Sequence, residues 1–276
     1  NLMDADKYVH SLLEDKLTPD ELAKVGLVET SVGRMVPAPD PEANRDNILR
    51  VAVEEYCVLP VDRDAFKGEI PPVRNMVAFS PFRFYIERKL YLHNMGHAIC
   101  AYLGDYMGHA LICDSIADPA IRVIVTSAMT ESVIGLTKKY GVEAAPVLEH
   151  AADLVRRFGN RALGDTCARV GGDIPRKLAA SDRLTGAAHM ISDGGDVPVF
   201  VSLGAAAALY KYMSDKGGDM SADSAMNEYT ALSQNSAGDA FDLVRRFYVM
   251  LTEKKTPAEL IAAADAAKHS YSGMIV

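Results

Sequence analysis

The sequence predicts a mainly α-helical protein, with an all-helical domain over residues 76–276 preceded by a small α/β segment over residues 1–75. From about residue 81, helical patterns follow one another with short breaks, and glycines mark many of the breaks. The preceding residues mix short helical and strand-like patterns, and they are too few for a complete sheet domain. The length of 276 residues suits one large domain or two small ones.

The α/β segment begins with two short helical patterns, at residues 4–15 and 18–24. Thr18 precedes Pro19 and is followed three residues later by Glu21, a pattern typical of a capped helix start. Apolar patterns at 27–36 and 48–59 predict two strands, joined by a polar loop.

The helical domain is predicted to hold eight helices, which show an apolar repeat near the helical period. They lie near residues 82–107, 118–140, 144–158, 174–190, 198–213, 221–232, 237–252 and 256–268.

Composition and charge narrow the functional classes. Apolar residues make up 49% and charged residues 24%, as in an ordinary soluble globular protein. The net charge of −8, without a basic tract, argues against a nucleic-acid partner. The sequence has no run of 18 consecutive apolar residues, so we expect no membrane partner. The four scattered cysteines lack metal-binding spacing, which favours reduced thiols in a cytoplasmic protein and no metal site.

Lys89, Asn94 and His97 are the most informative residues of the chain. On an α-helix, at about 100° per residue, Asn94 lies about 140° and His97 about 80° round from Lys89, so all three can face one side. One proton-transfer group and two neutral hydrogen-bond donors suit the oxidation of an alcohol or the reduction of a ketone. His93 lies near the same face, so spacing alone leaves the choice of histidine open.

Lys89 and its neighbour Glu87 also have purely structural interpretations. Lys89 taken alone is more often a solvated lysine with a pKa of about 10.4, and only burial brings that pKa near neutrality. Glu87 is expected to pair with Arg83 at the surface, with a proton-relay role as the alternative.

A second cluster is basic. Arg176 and Arg183 are seven residues apart, so on one helix they share a face, and Lys177 flanks them. Paired guanidinium groups suit a phosphate or a carboxylate. Salt bridges to Asp173 and Asp182 are an equally good interpretation of the same spacing.

The run from Glu87 to Gly104 resembles the signature of the polyol-specific long-chain dehydrogenase (mannitol dehydrogenase) family, and of its mannitol-1-phosphate 5-dehydrogenase branch in particular. Further blocks resemble that family in the same order, and the resemblance covers most of the chain, weakening after about residue 215. These blocks are Val32–Pro37, Phe66–Gly68, Arg157–Phe158, Arg169–Gly171 and Pro175–Leu184.

The resemblance implies general acid/base chemistry at Lys89 and contacts from Asn94 and His97 to the reacting oxygen. It also implies metal-free hydride transfer between NAD and a sugar alcohol or its keto form. The small-molecule partner is then a polyol phosphate or a uronate.

For substrate binding, the resemblance favours Arg176, with Lys177 and Arg183 as further candidates. Asn1 is similar to an asparagine that ends a strand of the family's cofactor domain. The implied fold is a helical C-terminal domain like that of 6-phosphogluconate dehydrogenase, preceded by the remnant of a Rossmann-type domain.

Two departures from the family pattern limit these expectations. The chain has no G-x-G-x-x-G, so we expect the C-terminal part of such an enzyme, inactive on its own, with its cofactor-binding residues unassigned. Gly33 stands where the family has an acidic residue, which leaves the substrate open. The alternatives are a hexuronate (fructuronate or tagaturonate) reductase, a mannitol 2-dehydrogenase and, from another class, a non-catalytic helical module for oligomerisation or sugar binding.

Overall fold

The computed structural model describes residues 4–37 and 41–272. The fold is mainly helical, as predicted, with 62% helix and 4% strand, so helix packing forms its core. The chain forms two compact units, Asn1–Lys89 and Leu90–Val276. The division after residue 75 stays a prediction.

The first unit contains short helices and one pair of strands. Its elements are α1 (Ala5–Glu14), α2 (Pro19–Leu22), β1 (Leu59–Asp62), β2 (Met76–Phe79) and α3 (Arg83–Arg88). The predicted start of α2 is confirmed: the Thr18 hydroxyl accepts from the Glu21 N–H, and the Glu21 carboxylate accepts from the Thr18 N–H at 2.9 Å. Local side-chain chemistry therefore fixes this helix end.

Strands β1 and β2 are parallel, with Leu59 opposite Met76, and Thr30 adds one antiparallel bridge to Val61. The predicted strands at 27–36 and 48–59 are otherwise wrong, because no other ladder forms there in the described part of the chain. Apolar side chains in the second segment stay exposed, Ile48 by 88%. A strand needs a backbone partner as well as an apolar pattern.

The second unit is a packed set of helices. A π-helix, Lys89–Asn94, precedes α4, and a 3₁₀-helix, Arg161–Leu163, precedes α8. The α-helices are α4 (Met95–Met107), α5 (Ile112–Ala117), α6 (Pro119–Tyr140), α7 (Ala144–Phe158), α8 (Cys167–Gly171), α9 (Ile174–Leu178), α10 (Thr185–Asp193), α11 (Val199–Lys216), α12 (Ala222–Ser233), α13 (Asp239–Thr252) and α14 (Pro257–Ser272). The helix predicted over 174–190 is broken between α9 and α10.

Helix α11 lies at the centre of this unit and packs against α4, α6, α13 and α14. Every residue from Val199 to Leu209 is buried. A Cβ on Gly204 would lie 2.3 Å from Cγ1 of Ile99, so only a hydrogen atom fits where α11 meets α4. The small residues of α11 thus let the two backbones approach closely.

Helix α6 is held at both ends by local signals. The Asp118 carboxylate accepts from the N–H groups of Ala120 and Ile121, and Gly141 ends the helix with φ 64°. Among the described residues, α6 is the one helix long and apolar enough to cross a membrane, with a mean hydropathy of 1.3. More than half of that apolar stretch is buried inside the fold, as expected for a core helix.

Candidate active site

One uninterrupted helical run carries Lys89, Asn94 and His97. Lys89 begins the π-helix, Asn94 ends it, and His97 lies in the first turn of α4. The angular positions predicted from α-helical geometry are therefore wrong for this run. A π-helix closes i→i+5 hydrogen bonds, so Asn94 follows Lys89 by about one turn and lies nearer to its face than in an α-helix. Such segments are frequent at functional sites.

Lys89 is half-buried, and a buried carboxylate precedes it by two residues. The expected pair is confirmed: Nε of Arg83 lies 3.1 Å from Oε1 of Glu87, although Glu87 is buried rather than at the surface. Asn1, the remaining sequence-predicted contact, lies outside the described residues.

The ring of His97 is held against Phe158 at the end of α7. Their ring centroids are 4.8 Å apart and their planes differ by 10°. His93 lies 5.8 Å from the same phenyl ring and is buried, whereas His97 is half-buried. Stacking therefore fixes the plane of the imidazole that the family resemblance selected.

A carboxylate that the sequence analysis did not single out lies beside this imidazole. Oδ2 of Asp165 is 3.6 Å from Nε2 of His97, and Oδ1 of Asp165 pairs with the guanidinium of Arg169. Asp165 lies in the loop before α8 and is nine-tenths buried. The i,i+4 spacing of Asp165 and Arg169 was a readable signal for the ion pair, but nothing local links either residue to His97.

The surroundings of His97 keep it neutral. Burial, and then the positive charges of Arg169, Arg183, Lys177 and Arg157, lower the pKa of His97 to about 3. The imidazole is therefore uncharged near neutral pH. It can offer one N–H donor and one acceptor nitrogen, but it carries no proton that an acid catalyst would release.

Lys177 is a buried cation, only 4% exposed. Its ammonium donates to the carbonyl of Val170 at 2.6 Å and to that of Gly172. No carboxylate in the described part of the chain forms an ion pair with it. Burial, and then repulsion from Arg183 and Arg176, lower its pKa to about 8. Buried charges are usually paired with an opposite charge, whereas the partners of this ammonium are two backbone carbonyls.

Arg176 and Arg183 do not share a helix, because α9 ends before Arg183, so the predicted common face is wrong. They are joined by a carboxylate instead: Asp182 lies 3.2 Å from Arg176 and 2.9 Å from Arg183. Arg176 also pairs with Asp173 at 2.5 Å. The salt bridges that the spacing offered as an alternative are formed, and the role of both arginines as substrate contacts stays a prediction.

Among the described residues, one strand-to-helix junction runs from β2 to α3 through Ser80 and Pro81. It lacks the glycines that let a backbone approach a pyrophosphate. No group of three His, Cys, Asp or Glu residues in this part of the chain could hold a metal ion.

Comparison with known proteins identifies relatives. The family model described as mannitol dehydrogenase C-terminal domain matches residues 82–265. A Pseudomonas fluorescens mannitol 2-dehydrogenase, solved as a ternary complex with NAD and D-mannitol, is similar with a TM-score of 0.70 at 16% identity, over 94% of this chain and 57% of that one. A D-sorbitol dehydrogenase in substrate-free form is similar with a TM-score of 0.67 at 17% identity, over 92% and 57%. The chain thus shares their fold and spans less than two thirds of their length.

Proposed function

The chain belongs to the mannitol dehydrogenase C-terminal domain family, and from that premise we propose that it forms the substrate-binding part of an NAD-dependent polyol dehydrogenase. The reaction is the interconversion of mannitol 1-phosphate and fructose 6-phosphate. NAD, when bound, supplies the hydride acceptor. The residues of this chain bind the polyol, orient it and move its hydroxyl proton.

Lys89 takes the proton of the reacting hydroxyl as the carbon is oxidised, and it returns a proton in the reverse direction. An amine does this near neutral pH when its ammonium form is destabilised by burial or by neighbouring cations. The start of a π-helix, where Lys89 is half-buried, supports this role. The family resemblance assigns the same residue.

Asn94 and His97 hold the sugar without exchanging protons with it. The amide of Asn94 can donate to the oxygen that becomes a carbonyl. The neutral imidazole of His97, stacked on Phe158, offers a hydrogen bond of fixed direction. With Lys89, they supply two neutral hydrogen-bonding groups and one proton-transfer group for polyol oxidation.

A single observation carries the choice of a phosphorylated substrate: Lys177 is a buried cation without a carboxylate partner, among the cations that surround His97. A phosphate satisfies such a group better than a neutral hydroxyl does, since hydrogen bonds to charged groups are stronger. Arg176 is half-exposed and already holds two carboxylates, so we expect its part in binding to be smaller.

The test is turnover with NAD by this chain joined to its dinucleotide-binding domain. Mannitol 1-phosphate, mannitol and a hexuronate are compared in wild type, Lys177→Met and Arg176→Ala, with Lys211→Met as a control on α11. Loss of one charge-assisted contact to phosphate is expected to raise KM for mannitol 1-phosphate by about 10- to 100-fold in Lys177→Met. KM for mannitol changes little.

Each other outcome has its own meaning. Preference for the hexuronate supports the reductase alternative, and preference for unphosphorylated mannitol supports the 2-dehydrogenase. An equal KM for mannitol 1-phosphate in wild type and Lys177→Met contradicts the phosphate assignment. Absence of turnover with all three substrates favours the non-catalytic module.

A further inference from the structure

The backbone around Asp165 is fixed from both sides. Its carbonyl accepts from the Ile112 N–H at 2.9 Å, and an antiparallel bridge joins Leu111 to Thr166. The Cys167 N–H adds a hydrogen bond of 2.9 Å to the carbonyl of Ala110. The main chain from which the carboxylate of Asp165 extends is therefore held in place by backbone hydrogen bonds.

The two oxygens of that carboxylate have different neighbours. Oδ1 pairs with Arg169, which lies one turn along the chain in α8, whereas Oδ2 faces Nε2 of His97 at 3.6 Å. Nε2 is buried and has no hydrogen-bond partner within ordinary range among the described residues. Oδ2 of Asp165 is the carboxylate oxygen placed beside this nitrogen, and a shift of about 0.5 Å would bring the two atoms within hydrogen-bond range.

Stacking on Phe158 leaves the imidazole of His97 little freedom to rotate. Phe158 fixes the plane of the imidazole, so the position of its single proton decides what the ring offers to a ligand. A carboxylate beside one ring nitrogen favours the N–H on that nitrogen, as it does for histidines that bind metals.

We propose that Asp165 is a positioning residue that keeps the proton of His97 on Nε2, so that Nδ1 remains as a hydrogen-bond acceptor for a substrate hydroxyl. The assignment of the ligand as a polyol rests on the proposed function, whereas the position of the proton does not. Asn94 is then the neutral donor to the reacting oxygen, and His97 accepts from a neighbouring hydroxyl. This differs from the expectation that both groups donate.

The low pKa of His97 agrees with this arrangement, because a ring that remains neutral near pH 7 must be in one tautomer or the other. The charged groups around it are Arg157, Arg169, Lys177 and Arg183, and the carboxylate of Asp165 compensates one of them directly.

Nitrogen NMR of the full chain with ¹⁵N-labelled histidine reads the tautomer without substrate or cofactor. The resonances of His97 are assigned by their loss in His97→Gln. We expect a protonated Nε2 and an unprotonated Nδ1 in wild type. In Asp165→Asn the amide can donate to Nε2, so the population should move toward the Nδ1–H form. As a control, Asp223→Asn removes the α12 carboxylate that pairs with Arg245 of α13. This variant should leave the His97 signals unchanged.

A wild-type His97 with its proton on Nδ1 overturns the proposal, and this result does not depend on any variant folding. An unchanged tautomer in a folded Asp165→Asn overturns it as well. Turnover is measured separately: loss of such a supporting group is expected to lower activity by about 10- to 100-fold, by analogy with the outer partners of metal-binding histidines. If the enzyme turns over no polyol while the Nε2–H tautomer is found, the proposed function fails and the positioning role stands.

Discussion

Replacing Lys177 by methionine should change how the stability of the chain depends on pH. The ammonium of Lys177 is buried, and its pKa is lowered to about 8 from an ordinary value of 10.5. Because the unfolded chain binds this proton more tightly than the folded chain does, the wild type becomes more stable as pH rises from about 8 to about 10.5. Methionine keeps much of the side-chain volume and removes the titration.

The size of the effect follows from the two pKa values. Between about pH 7.5 and about pH 10, the wild type should gain about 2 to 3 kcal/mol in free energy of unfolding relative to Lys177→Met. The hydrogen bonds to Val170 and Gly172 are lost in the variant at every pH. Their loss shifts the difference in free energy of unfolding between the two proteins but leaves the pH dependence of that difference unchanged.

Urea unfolding followed by circular dichroism at several pH values gives this difference directly. Lys211→Met is the matched control, because a hydrogen bond to Asp215 raises the pKa of Lys211. The stabilisation that Lys211 gives the folded chain is therefore present below the ordinary lysine pKa and is lost only above it. The Lys211 difference should therefore be nearly flat over the same window. A flat Lys177 difference would mean that this amine has an ordinary pKa, and it would remove the argument for a phosphate at this position.

Two further predictions concern the helical core. Glu131→Ala should lower the free energy of unfolding by about 3 to 5 kcal/mol. The buried carboxylate of Glu131 accepts from the N–H groups of Phe200 and Val201 and pairs with Lys268 at 3.0 Å. A loss below about 1 kcal/mol in urea unfolding would contradict these contacts. Gly204→Ala should cost about 1 to 3 kcal/mol through contact with Ile99, and the double variant with Ile99→Ala should recover part of that loss. Equal thermal stability of wild type and Gly204→Ala would show that α4 and α11 are not this close.

Helices whose ends are set by neighbouring residues could be predicted from the sequence. The start of α2 depends on Thr18 and Glu21, and the ends of α6 depend on Asp118 and Gly141, all within a few residues of the helix they bound. The apolar repeat of α7 and α13 is equally local. These elements match the predicted ranges to within about three residues.

Features that depend on distant partners could not be predicted in this way. The strands predicted at 27–36 and 48–59 have suitable side chains, but the ladder that forms joins Leu59–Asp62 to Met76–Phe79. Strand pairing is set by residues far apart in the chain, so an alternating pattern is a weak guide when few strands are present.

The candidate site also combines features set by neighbouring residues with features set by distant ones. Lys89, Asn94 and His97 were found because they lie within nine residues of one another, but their angular positions were wrong since the helix is a π-helix there. Asp165 and Phe158 reach His97 from other elements, and no local pattern indicates that approach.

The central claim is tested most directly by the rate of NADH formation from mannitol 1-phosphate, measured for this chain joined to its dinucleotide-binding domain as wild type and as Lys89→Ala. Loss of a positioned general base is expected to lower kcat by about 10²- to 10⁴-fold with little change in KM. A Lys89→Ala enzyme that keeps the wild-type kcat would contradict the assignment of Lys89 as the general base.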